Sequence, residues 1–136
     1  MFRRTNPVPT ALKESELASL IPLRELRIIE RRGTMVSMSA GRSAIREGEI
    51  GRECMIIVEG GFAVTSNGVP LASLGAGDVV GEMALFAKRP RTATVTAEID
   101  SLVYAFNPRE FVSLLEECPT LAVIVRADAD ERSQAS

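Results

Sequence analysis

Apolar and polar positions change rhythm twice along this chain. From Leu12 the spacing is helical: Leu17, Leu20 and Ile21 share one face, Pro22 interrupts it, and Leu23, Leu26 and Ile29 resume it. The pattern predicts an N-terminal helix, broken or restarted at Pro22, where proline fits a first helical turn. It should end near Arg31 and Arg32, with Gly33 as the stop. Arg24, Arg27, Arg31 and Arg32 read as a solvated face with favourable last-turn charge, in preference to a partner surface. Residues 1–11, with Pro7 and Pro9 among polar neighbours, read as a loose leader.

After Gly33 short β-type runs alternate with turn signals. Strands are expected at Thr34–Met38, Ser43–Arg46, Cys54–Glu59, Phe62–Ser66, Val69–Leu74, Val79–Val80, Ala93–Glu98 and Leu102–Phe106. Asn67-Gly68 is the strongest turn among them, because a two-residue type I′ hairpin needs positive φ at both positions. Ala93 to Ala97 alternates small apolar residues, expected inside, with threonines outside. Helical spacing then returns. Asn107 can cap a helix with Pro108 in its first turn and Phe111, Leu114 and Leu115 as its apolar stripe. Pro119 starts another, with Leu121, Ile124 and Val125 on one side before a polar end. The expected fold is mainly β with flanking helices: an eight-stranded jelly-roll-like β-barrel, one N-terminal helix and two C-terminal helices. Residues 12–131 form the single domain of this reading, and 132–136 a frayed tail.

Composition narrows the function. Apolar residues make up 46% and charged residues 25% of 136, ordinary for one globular domain. The net charge of −2 argues against a nucleic-acid partner. Cys54 and Cys118 each lie in apolar stretches and read as reduced, buried thiols, which suits a cytoplasmic protein. Met1-Phe2-Arg3-Arg4 has charge but no apolar segment behind it, and no run is long enough to span a membrane. The chain has no histidine, which removes the commonest general base and metal ligand together. A histidine-based metalloenzyme or hydrolytic triad is excluded, and neither a metal site nor a cofactor is expected. A cupin-like enzyme, which shares barrel architecture, fails on the same ground.

Residues 75–97 carry the candidate chemistry. A strand runs into Gly81, one helical turn is expected at Glu82–Phe86, and a basic loop through Lys88 and Arg89 leads to Arg91 and the next strand. Gly81 allows close backbone approach. Free N–H groups in the following turn favour an anion, and Arg91 can add a guanidinium fork. Glu82 at the mouth of such a site needs donors, and a ribose hydroxyl would be one. One acceptor for a sugar and one fixed cation for a phosphate describe a nucleotide with a single phosphate charge.

Gly81-Glu82-Met83-Ala84-Leu85 followed by Pro90-Arg91-Thr92-Ala93-Thr94-Val95 resembles the phosphate-binding cassette of the cyclic nucleotide-binding domain family. That family includes the regulatory subunits of cAMP-dependent kinase, the catabolite activator protein and cyclic-nucleotide-gated channels. The similarity extends upstream through Arg46-Glu47-Gly48-Glu49, Ile56-Ile57-Val58-Glu59-Gly60 and Leu74-Gly75-Ala76-Gly77-Asp78, over roughly residues 20–120.

The resemblance implies that Glu82 accepts from the ribose 2′-hydroxyl, with Gly81 and Met83 close by through their backbone. Arg91 would hold the exocyclic phosphate oxygens, helped by N–H groups at Ala84 and near Thr92 and Ala93, while Met83 and Leu85 line or underlie the pocket. Thr92 stands where a hydroxyl occurs in binders of either base, so it leaves cAMP and cGMP both open, with cAMP the favoured ligand. Arg126 could stack on the purine as a lid closing with the 108–131 segment, or be a plain surface arginine. The implied activity is sensing, not catalysis. Because 16 residues after position 120 cannot form a helix-turn-helix, kinase or membrane segment, the expected output is a separate effector protein. Self-association as a homo-oligomer is left open. The competing expectation is an interaction scaffold of the same fold whose pocket is silent.

Overall fold

The structure, a computed structural model, describes residues 12–50, 53–81 and 91–135, the side chains of 128–135 excepted. Two 3-10 turns, Leu12–Glu14 and Glu16–Ser19, precede helix α1 (Leu23–Arg32). The helical spacing before Pro22 therefore becomes two tight turns instead of an α-helix. Pro22 itself is extended, at φ −72° and ψ 155°, and stands just outside α1 as its N-cap.

Gly33 ends α1 as expected, for a different reason. Its backbone is extended, so no left-handed turn is involved. A Cβ at Gly33 would lie 2.6 Å from the ring of the fully buried Phe106, so packing and not chain reversal demands glycine here.

Among the described residues eight strands follow: β1 (Thr34–Met38), β2 (Ser43–Ile45), β3 (Cys54–Glu59), β4 (Gly61–Ser66), β5 (Val69–Gly75), β6 (Val79–Val80), β7 (Thr94–Ala97) and β8 (Ser101–Phe106). They form two four-stranded antiparallel sheets, ordered β1-β8-β3-β6 and β2-β7-β4-β5. The jelly-roll arrangement holds, as two facing sheets instead of a closed barrel. Asn67 and Gly68 join β4 to β5 at φ 52° and 77°, the positive pair that a type I′ hairpin requires. Val95 and Ala97 of β7 face inward. Thr94 and Thr96 use their hydroxyls outside, Thr94 accepting from the Glu47 N–H at 3.1 Å and Thr96 pairing with Ser43 at 3.0 Å.

The continuous apolar runs of β3 and β8 have a structural cause, because their sheet is covered on both faces. Cys54, Ile56 and Val58, with Leu102, Tyr104 and Phe106, pack against α1 and the C-terminal helices. The alternate residues Met55, Ile57, Val103 and Ala105 meet Phe62 and Val95 of the opposite sheet. Burying each of the larger aliphatic and phenylalanine side chains contributes roughly 1.5–3 kcal/mol.

Helix α2 (Pro108–Glu117) opens with a full capping box: Asn107 Oδ1 accepts from the Glu110 N–H at 2.7 Å, and Glu110 Oε1 accepts from the Asn107 N–H at 2.9 Å. Its Glu117 carboxylate pairs with Arg32 at the end of α1. This hydrogen bond lowers the pKa of Glu117 and raises that of Arg32. Both groups are open to water, so the pair adds little stability. Helix α3 (Pro119–Ala135) follows directly and continues helically through the segment expected to fray. Cys54 and Cys118 are buried, and neither is in a disulfide.

Candidate functional site

Gly81 is placed from the β3 side. The turn before β6 is pinned by Asp78, whose carboxylate accepts from the Gly75 N–H at 2.8 Å, while Gly77 and Asp78 exchange backbone bonds with Ile57. Strand β6 then pairs Val80 with Met55 and Val79 with Ile56, which delivers Gly81 alongside Glu53. Gly81 has φ +85°, a conformation that strains any residue with a Cβ.

Arg91 arrives from the other sheet. Its N–H donates to the Glu49 carbonyl and its carbonyl accepts from the Gly48 N–H, both at 2.8 Å. These bonds continue the β2–β7 pairing beyond the strand ends and fix the arginine backbone. The guanidinium crosses to the first sheet, donating to the carbonyls of Glu53 at 2.8 Å and Gly81 at 3.3 Å. Two of its donors are thereby used on neutral acceptors. A guanidinium has five, and its charge is met by no carboxylate ion pair among the described residues.

Beside it lies a cavity of about 340 Å³. Ala44, Ile45 and Met55 give it an apolar side, and Arg46, Glu49, Ile50 and Glu53 line it together with Arg91. The volume is at the lower end of the range for small-molecule sites, which combine apolar walls with a few fixed polar groups. Among the described residues the charged lining is two arginines and two glutamates, a formally balanced set. Among the described residues no cluster of acidic, cysteine or histidine side chains could hold a metal ion.

The family description "Cyclic nucleotide-binding domain" matches residues 35–118. The chain belongs to this family. As a cyclic nucleotide-binding domain it is 38% identical, over 93 residues, to a cyclic nucleotide-gated potassium channel of Rhizobium etli, covering 68% of this chain and 26% of the channel. It is 30% identical over 115 residues to the cGMP-dependent protein kinase, isozyme 1, of Drosophila melanogaster, covering 84% of this chain and 15% of the kinase. The chain thus spans about a quarter or less of these relatives' own length. The catabolite activator protein of Thermus thermophilus shares its fold, with a TM-score of 0.69 and 22% identity over 88% of this chain and 58% of that one.

Of the sequence-derived site residues, Gly81 and Arg91 are brought into contact by the structure. Thr92 and Ala93 follow Arg91. The Thr92 side chain is exposed, and its carbonyl accepts from the Ser66 hydroxyl at 3.1 Å. Glu82, Met83, Ala84 and Leu85, with the expected turn at Glu82–Phe86, lie outside the described residues. Arg126 is exposed on α3 and does not line the cavity. The sequence reading missed Glu53 and the Ala44, Ile45 and Met55 wall. Glu53 acts here through its backbone carbonyl, which no side-chain identity announces. The continuous apolar run of β3, typical of a strand covered on both faces, was the one signal that could have pointed to the wall. No described helix is long and apolar enough to cross a membrane.

Proposed function

We propose that this domain captures a 3′,5′-cyclic purine nucleotide, cAMP before cGMP, and acts as a non-catalytic sensor on a separate effector. The observation that carries the reading is the Arg91 guanidinium: it is held across two sheets by carbonyls, borders a cavity with an apolar wall, and among the described residues spends only two of its five donors, on neutral acceptors. Glu82 is assigned the ribose 2′-hydroxyl, with the Gly81 and Met83 backbone beside it, while N–H groups at Ala84 and near Thr92 and Ala93 complete the phosphate contacts. Ligand binding is read as a shift between two states in which the final helices, α3 among them, take different positions, the 108–131 segment closing over the base with Arg126 as the candidate lid. No cofactor or metal takes part.

A second reading, cGMP as the preferred ligand, is favoured by the likeness to a cGMP-dependent kinase.

Titration calorimetry with cAMP, cGMP and AMP tests both readings. The cyclic nucleotides should bind and AMP should not, and the tighter of the two names the preference. Arg91→Ala removes a charge-assisted contact worth roughly 2–5 kcal/mol, a loss of about 30-fold or more in affinity. Unchanged cyclic nucleotide affinity in Arg91→Ala overturns the assignment. No binding by the intact protein, with no thermal shift, leaves the silent scaffold.

A further inference from the structure

The start of α3 has no local acceptor for its first N–H groups. Cys118 occupies the position before the helix, where a hydroxyl or carboxylate normally caps, and a thiol accepts hydrogen bonds weakly. The acceptor comes instead from α1. Glu25 takes the Thr120 N–H on one carboxylate oxygen and the Leu121 N–H on the other, both at 3.0 Å. Glu25 is only 1% exposed, and among the described residues the one cation paired with it is Arg24 at 3.8 Å, itself open to water.

Burying a carboxylate is costly unless donors replace its water. Two helix N–H groups and the positive end of the α3 dipole do so here. If capping were the only requirement, a serine or aspartate in place of Cys118 would meet it without burying a charge. A cap supplied from another helix adds what a local cap cannot: it ties α3 to α1 at a defined point. The Arg32–Glu117 pair ties the far end of α1 to α2, not to α3.

We propose that Glu25 is a positioning residue that couples α3 to α1, so that the two open and move as one unit. Its extension to signalling rests on the ligand-driven shift of α3 proposed above. When α3 moves, α1 moves with it.

Amide hydrogen exchange on the full chain tests this with wild type, Glu25→Gln, and Glu25→Gln combined with Cys118→Ser. Glutamine keeps one acceptor and turns an NH₂ toward the second N–H. Exchange at Thr120 and Leu121 should therefore accelerate about tenfold in Glu25→Gln, the equivalent of losing one buried hydrogen bond. Val103 in β8 should be unaffected. The hydroxyl introduced by Cys118→Ser supplies a local cap, so the double variant should regain protection at the start of α3 and keep a folded domain even where the single variant does not.

Coupling is read separately from capping. In wild type without ligand, Leu26 and Ile29 of α1 should share one opening rate constant with Thr120 and Leu121; in the double variant the two sets should separate. With cAMP, protection should change on α1 and α3 in wild type but on α3 alone in the double variant, with affinity within about threefold. Should α1 and α3 open independently in wild type, or together in the double variant, the coupling does not run through Glu25. A wild type that ignores cAMP removes the nucleotide reading, and the ligand-free exchange still decides the role of Glu25.

Discussion

Gly81→Ala separates two effects that meet at one atom. At φ +85° an alanine is strained by about 1–2 kcal/mol whatever surrounds it. Its Cβ would also lie 2.7 Å from the Glu53 carbonyl oxygen and 2.9 and 3.1 Å from the two terminal nitrogens of Arg91. The carbonyl belongs to backbone at the mouth of β3 and has little room to yield, whereas the guanidinium can leave. Forcing a methyl into such a place costs about 1–3 kcal/mol more. Gly68→Ala is the matched control: φ is +77°, and nothing lies within 4 Å of its Cβ. Urea unfolding should show a loss of about 1–2 kcal/mol for Gly68→Ala and about 2–5 kcal/mol for Gly81→Ala. Calorimetry on the same proteins should show cAMP affinity intact in the first and weakened at least tenfold in the second, about 1.4 kcal/mol. Equal stability losses would refute the collision. Wild-type affinity in Gly81→Ala would refute the idea that the guanidinium must rest against this glycine.

Two further outcomes follow from the C-terminal helices. Asn107→Ala removes the acceptor side of the α2 capping box and should cost about 1 kcal/mol in urea unfolding, with cAMP affinity unchanged. For Cys118, burial first and the neighbouring Glu25 and Glu117 next push the thiol from its ordinary 9.0 up to about 11. The folded chain therefore holds this proton more tightly than the unfolded one. The resulting stability, roughly 2–3 kcal/mol, is complete below pH 9 and disappears as pH rises through about 11. Cys118→Ala should lose less stability than wild type over that interval. An identical pH profile in both would remove the thiol as the cause.

Much of the strand layout was legible because local chemistry and tertiary need coincide. Asn67-Gly68 can form little else but its hairpin, and the alternation of Val95 and Ala97 with two threonines declares an inner and an outer face. Where long-range packing decides, the residues were silent. The stretch from Leu12 to Ser19 has helical spacing, yet it folds as two 3-10 turns. These are held by distant contacts: the Glu16 N–H donates to Glu59, and Glu16 accepts from the Gly60 N–H. Gly33 looked like a helix stop, although its reason is the ring of Phe106. The Gly81–Arg91 half of the candidate site was readable as a motif. The Glu53 carbonyl, and Glu25 at the head of α3, were not, because each works on a partner far away in the chain.

Strand β3 is a wall one residue thick. Met55 borders the cavity, while Cys54 and Ile56 on either side of it belong to the helical layer. The two compartments thus share one strand, whose successive side chains point to opposite faces of the sheet. With no slack between them, a helix that changes its seat pushes on the same backbone that shapes the hollow behind it. Relay between the inside and the outside of this fold needs no long wire, only a partition too thin to absorb the displacement.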